Sequence, residues 1–214
     1  MRLGGIALAV GLAAMAPSGV ALACGGGQVL YEDTFEALEP TWGTADDSFF
    51  LDDGRLTVMP GYDQYYSALN TMGTYEDADI CFDVEAIKAD REGNSFAGPI
   101  FWAIDYDNYY YLLITAEQSI AVFRRQRGRV LPQLRWTRFE ALRPGNNTVN
   151  QIRIVTTGNT AAIYVNGTFY ATMKGQPPVD GQQIGLRATS PRNERAVWAF
   201  DNIRVAVPEA AATQ

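Results

Sequence analysis

Flat aromatic rings beside hydrogen-bonding side chains are the residues of this chain best suited to chemistry. Sugar rings present apolar C–H faces, so a Trp or Tyr next to an Asp, Asn or Arg is a physical recipe for carbohydrate recognition. Such clusters occur at Tyr62, Tyr65 and Tyr66, at Phe101 and Trp102, at Tyr106 and Tyr109 to Tyr111, and at Trp136. Alternate residues of a strand face the core, so about half of these rings are expected to serve packing.

The 214 residues contain no histidine. That excludes a Ser-His-Asp or Cys-His nucleophile and removes the commonest zinc ligand. Hydrolysis by paired carboxylates stays open. It needs carboxyl groups about 5 to 5.5 Å apart for retention or roughly 6.5 to 9.5 Å for inversion. Neighbours two residues apart on one strand face are separated by about 6.6 Å, so Asp83 and Glu85 match inversion and fit retention poorly. The alternative for these acids is a charged solvent face that discourages edge pairing.

The net charge of −7 argues against a general nucleic-acid binder, which needs a concentrated positive surface. The local exception is Arg124, Arg125, Arg127, Arg129, Arg135, Arg138 and Arg143. Two readings stand: outward positions of two strands and a loop, or a platform for anionic groups such as uronates or sulfates.

Arg2, an apolar stretch from Ile6 to Met15 and the small-residue end Ala21-Leu22-Ala23 read as an export signal over residues 1–23, cleaved at an A-x-A site. No segment approaches the roughly 20 apolar residues of a spanning helix. The mature chain is then periplasmic, cell-surface or extracellular. Its two cysteines, Cys24 and Cys81, have alternative fates. In an oxidising compartment they could pair. Cys24 also follows Val20-Ala21-Leu22-Ala23, which resembles a bacterial lipoprotein processing site, where the cysteine becomes a lipid anchor.

From Gln28 onward, short β-rich runs alternate with turn residues, and no amphipathic helical window appears. Ala78, Ile80, Phe82, Val84 and Ala86 alternate with Asp79, Cys81, Asp83 and Glu85, the period of a half-buried strand. Asp52-Asp53-Gly54 between Phe49-Phe50-Leu51 and Arg55-Leu56-Thr57-Val58 marks a hairpin, and Asn166-Gly167 marks another. Further strands are predicted near 97–105, 108–115, 118–126, 150–157, 160–166, 168–173, 183–190 and 196–207. About a dozen strands at this spacing predict an all-β, two-sheet antiparallel β-sandwich or jelly roll over residues 24–207, with 208–214 as a flexible tail. Asn146-Asn147-Thr148 and Asn166-Gly167-Thr168 match glycan-acceptor triplets, and turn chemistry explains both without glycans.

Four motifs in order carry a resemblance: Tyr31-Glu32-Asp33-Thr34-Phe35, Asp105-Tyr106-Asp107-Asn108-Tyr109-Tyr110, Ile163-Tyr164-Val165-Asn166-Gly167 and Ala199-Phe200-Asp201-Asn202-Ile203-Arg204-Val205. The chain resembles the concanavalin A-like lectin/glucanase superfamily, within it the laminin-G-like modules and the domain labelled 3-keto-disaccharide hydrolase. The resemblance implies that Phe101 and Ala103 point inward and Trp102 outward. From the aromatic pattern itself, Trp102, Tyr110, Arg125 and Trp136 are expected to line a concave ligand-binding face, with Tyr62 and Tyr66 on a rim loop. The resemblance also implies a structural calcium between the chain ends, with Asp33 and Asp201 in the matching places. The Glu-x-Asp-x-x-Glu signature of family 16 glycoside hydrolases is missing, since position 81 is Cys. The expectation is an exported, non-catalytic module whose partner is an oligo- or polysaccharide. The alternatives are a glycoside hydrolase using Asp105, Asp107, Asp83 or Glu85, and an envelope protein-interaction module.

Overall fold

The computed structural model describes residues 24–90 and 92–209. The export segment expected over 1–23, and all but the first two residues of the expected tail, lie outside these. Among these residues fourteen strands form: β1 (Val29–Asp33), β2 (Phe49–Asp52), β3 (Arg55–Val58), β4 (Tyr65–Leu69), β5 (Ala78–Lys88), β6 (Ala97–Asp105) and β7 (Asn108–Ile114). The rest are β8 (Ser119–Gln126), β9 (Arg129–Arg138), β10 (Thr148–Thr157), β11 (Thr160–Val165), β12 (Thr168–Lys174), β13 (Gln183–Thr189) and β14 (Val197–Ala206). One 3-10 turn, Pro40–Trp42, follows β1. Among the described residues no helix is long and apolar enough to cross a membrane.

The strands pair antiparallel in two sheets. One has the order β12-β11-β10-β5-β14-β3-β2, with β1 also paired to β14; the other runs β4-β13-β6-β7-β8-β9. The all-β two-sheet sandwich expected from the sequence is therefore the observed fold. Three of its hairpins close where two successive residues adopt positive φ: Asp53 and Gly54 (50° and 68°), Arg127 and Gly128 (50° and 74°), Asn166 and Gly167 (50° and 79°). Positive φ at both central residues is what a two-residue turn matched to strand twist requires.

The main core lies between the sheets. On β5 the predicted inward set, Ala78, Ile80, Phe82, Val84 and Ala86, is buried there and meets Phe101, Leu112, Val122 and Leu186 from the six-stranded sheet. A second, smaller apolar cluster covers the other side of that sheet: Leu69, Ile100, Ala103, Tyr109, Tyr111 and Leu113, with Phe96 and Phe123 against it. Among the described residues no third layer lies above it, and it is where the candidate site is found.

Candidate functional site on the outer face of the six-stranded sheet

Strand alternation builds this face. Ile184, Leu186 and Ala188 of β13 enter the core, which turns Arg187 outward. Tyr110, Leu112 and Ile114 of β7 point inward, so Tyr109, Tyr111 and Leu113 point out. Phe123 and Arg125 of β8, Trp136 of β9 and Tyr65 of β4 complete the surface. The rings touch in a chain: Tyr109 to Tyr111 at 5.4 Å between centroids, Tyr111 to Phe123 at 5.5 Å, Phe123 to Trp136 at 6.0 Å and Trp136 to Phe96 at 4.8 Å. Tyr109 and Tyr111 are buried by these neighbours, whereas Trp136 is 40% and Tyr65 49% exposed. Water therefore reaches a platform whose two ends are Tyr65 and Trp136.

Arg187 crosses the middle. Gly98 stands opposite it on β6 and has no side chain in its way, so the guanidinium reaches over to β7. Its Nη1 donates to the Tyr109 hydroxyl at 2.6 Å and to Ser67 Oγ at 3.1 Å. Its Cζ lies 3.7 Å from the Tyr65 ring centroid and 4.9 Å from that of Tyr111, within cation–π range. Arg125 stands 5.9 Å from the same Tyr65 ring and pairs with Asp107 at 3.3 Å. Burial pushes the Tyr111 phenol up, against the opposing pull of Arg187.

A cavity of about 1000 Å³ opens at the end of this face, lined by Tyr65, Phe96 and Arg187 on the sheet side and by the β5–β6 and β13–β14 connections on the other. The β5–β6 connection is held by Asp90, whose carboxylate accepts the backbone N–H groups of Asn94 and Ser95 and the Ser95 hydroxyl. Burial opposes that negative charge, yet the Ser95 and Asn94 hydrogen bonds outweigh it and hold the carboxyl below its ordinary range.

The expected ligand residues divide. Arg125 and Trp136 lie on the outer face, and Tyr62 is exposed in the connection before β4. Trp102 does not face out. It is 2% exposed, because its φ of 48° puts an irregularity into β6 between Phe101 and Asp105. Alternation fails there, and both Phe101 and Trp102 enter the core, while Ala103 joins the outer cluster instead of pointing inward. Tyr110 is likewise inside, with its ring 5.1 Å from that of Trp102 in an edge contact. Tyr66 stacks on Phe49 at 5.3 Å on the core side of β4, and burial followed by Asp46 pushes its phenol up to about 12. Arg187 and Phe123 were missed, and Tyr65, Tyr109 and Tyr111, although part of the aromatic clusters, were not assigned to the face. The inward set Ile184, Leu186 and Ala188 was a signal that could have found Arg187. No such signal existed on β7, where both faces are apolar.

The acids do not converge on this face. Asp83 and Glu85 emerge on the outer side of the other sheet, where Glu85 pairs with Arg55 at 2.5 Å and Asp83 accepts from Gln151 and Asn202. Asp105 caps the β6–β7 turn through Asp107 N–H and Asn108 Nδ2, and Asp107 is tied to Arg125.

Nor do the donors fit a calcium between Asp33 and Asp201. Asp33 Oδ2 accepts both the Tyr31 hydroxyl at 3.0 Å and Trp42 Nε1 at 2.9 Å, and Oδ1 accepts Phe35 N–H at 2.8 Å. Three protons already point at this carboxylate, whereas calcium takes six to eight free oxygens. Among the described residues no group of three or more acidic, cysteine or histidine side chains could hold a metal ion. Cys24 and Cys81 are joined as a disulfide, Cα to Cα 5.8 Å.

No family model matches the chain, and no curated protein does. Solved structures do. A carbohydrate-binding module, CBM66 from Bacillus subtilis, superposes with a TM-score of 0.62 at 15% identity, covering 78% of this chain and 95% of its own. A Bacillus subtilis protein of unknown function with a galectin-like fold gives 0.63 at 11% identity, over 84% of this chain and 96% of that one. The chain has the concanavalin A-like sandwich fold. A Bacillus licheniformis beta-glucanase shares it with a TM-score of 0.60 at 12% identity, over 86% of this chain and all of that one. In the concanavalin A-like frame seen here, the aromatic side chains lie on the outer face of one sheet, and Asp83 and Glu85 lie on the outer face of the other.

Proposed function

We propose that this protein is an exported glycan-binding module that takes a saccharide on the outer face of its six-stranded sheet and does not hydrolyse it. The observation that carries the reading is the water-accessible pair of rings, Tyr65 and Trp136, at either end of an aromatic surface that also holds Arg187 and Arg125. Rings supply flat apolar contact at low entropic cost, and guanidinium groups supply hydrogen bonds to hydroxyls. Sandwiches of similar fold include a carbohydrate-binding module and a beta-glucanase. The non-catalytic part of the reading is supported by the placement of Asp83, Glu85, Asp105 and Asp107, none of which faces another acid across the aromatic surface. Export is supported by the leader-like residues 1–23 and agrees with the disulfide.

The test is a glycan array with the purified protein, followed by calorimetry on each hit. Tyr65→Ala and Trp136→Ala are expected to weaken binding at least tenfold, about 1.4 kcal/mol, with unfolding midpoints near that of the parent. Retained affinity in both variants would remove this face as the site. Release of sugar products from a hit would replace the binding-only reading with a hydrolase.

A further inference from the structure

Arg187 is a buried cation without an anion. It is only 6% exposed, and every group it touches is neutral: two hydroxyls and two phenol rings. Among the described residues no carboxylate lies within ion-pair distance of it, and its Nε–H, itself buried, has no acceptor. Nη2 has none either, since both of its hydrogen bonds leave from Nη1. Nε and Nη2 form one edge of the planar guanidinium, the edge that grips a carboxylate with two parallel N–H bonds. A buried charge left unpaired is costly, so its retention points to a partner that arrives from outside.

The cavity beside it supplies the way in, and none of the acids in its wall lies within ion-pair distance of Arg187. Arg187 is part of its wall. Of the cavity's acids, Asp63 is paired with Arg192 at 3.4 Å and Glu194 with Lys88 at 3.3 Å. Asp90 is taken up by its own loop, and Glu92 sits in an exposed contact with Asn94. Arg125, which lies near the same Tyr65 ring, already has Asp107. Tyr65 covers the face of the guanidinium, so an anion would approach in the guanidinium plane, from the cavity.

We infer that the site selects acidic sugars: it takes a uronate-containing oligosaccharide, whose carboxylate meets the Nε and Nη2 edge of Arg187 while its ring lies against Tyr65. This rests on the glycan-binding reading and deepens it. The arginines that the sequence clusters between 124 and 143 are not its centre; the deciding cation comes from β13. A planar carboxylate matches the fork, whereas tetrahedral sulfate does so less well.

The test needs no variant for its first arm. Calorimetry would compare oligomers of galacturonate, mannuronate and glucuronate-containing chains with the same oligomers after reduction of their carboxyls to neutral alcohols, and with sulfated galactan oligomers. At least one uronate is expected to bind tenfold or more tighter than its reduced counterpart, with the difference shrinking as NaCl is raised. In the second arm Arg187→Met is expected to erase that preference, and Arg187→Lys to keep part of it. Equal affinity for every acid and its reduced form would overturn the inference while leaving glycan binding intact. Preference for the sulfated oligomers alone would overturn the carboxylate assignment. Failure of all these probes together with an empty glycan array would instead bring down the glycan-binding reading itself. If Arg187→Met does not fold, the comparison of acid with reduced sugar still decides.

Discussion

Trp102 and Gly175 fit together with no room to spare. A Cβ added at Gly175 would come within 2.2 Å of Trp102 Cζ3, and the indole also packs 5.3 Å from Phe101. Its left-handed φ is unusual for a large aromatic residue, and the packing around it is what holds it there. Trp102→Ala is therefore expected to cost about 3–5 kcal/mol of stability, and Gly175→Ala about 1–3 kcal/mol through overpacking, both read from urea unfolding. Saccharide affinity of the folded fraction should stay unchanged in both, since neither side chain touches the outer face. A selective loss of binding with full stability would restore Trp102 to the site. The sequence could not show this inversion: Ile100-Phe101-Trp102-Ala103 is apolar throughout and carries no glycine at the irregular position. Arg187 was legible in principle, because a single charge set among Ile184, Leu186 and Ala188 has only one side to occupy.

At the level of strands, the alternating β5 was readable, and so was the short β2–β3 hairpin at a sheet edge, whereas β4 was not. β5 carries a strict alternation whose apolar side is buried, and the alternating run from Ala78 to Ala86 lies inside the observed strand. β4 escaped because it is five residues at the edge of a sheet, Tyr-Tyr-Ser-Ala-Leu, with one polar residue to mark a period. The β5–β14 pair also carries a conflict: Asp83 stands directly across from Asp201, and like charges opposite one another in a ladder destabilise it. Burial first, and then Asp83, raise the Asp201 carboxyl above 3.8, against the Asn202 N–H that favours its charge. The folded state thus prefers the protonated form. The resulting stability is fully present below pH 3.8 and is lost as pH rises through the folded value. Asp201→Asn keeps the acceptor for Asn202 N–H and removes the charge. It is expected to stabilise the protein at pH 7 by roughly 0.2–1 kcal/mol, with the gain vanishing below pH 3.8. A gain independent of pH in denaturant titrations would mean that the charge is not its cause.

Across the whole molecule, the segment before β1 is laid over the outer side of the eight-stranded sheet and fastened there. Arg204 donates to the carbonyls of Gly25 and Gly27, and beneath Gly25 a buried Asp79 is held by Arg153 through two bonds of 2.8 and 2.7 Å. The Cys24–Cys81 bridge ties this strap to β5 across 57 residues of sequence. Closing a loop of that length restricts the unfolded chain by about 4 kcal/mol in the chain-entropy model. It leaves the aromatic face alone, because Cys81 emerges on the opposite sheet. Reduction, or the double variant Cys24→Ser and Cys81→Ser, is therefore expected to lower the unfolding free energy by about that amount while leaving saccharide affinity at 25 °C as it was. The sequence left Cys24 with two fates because spacing alone does not bring residue 24 to the middle of β5. The fold does, by running β1 alongside β14, which is itself the neighbour of β5. Denaturant curves with and without reductant, paired with calorimetry on a bound glycan, separate the two effects. An equal fall in stability and affinity would mean that the strap, and not only the six-stranded sheet, shapes the site.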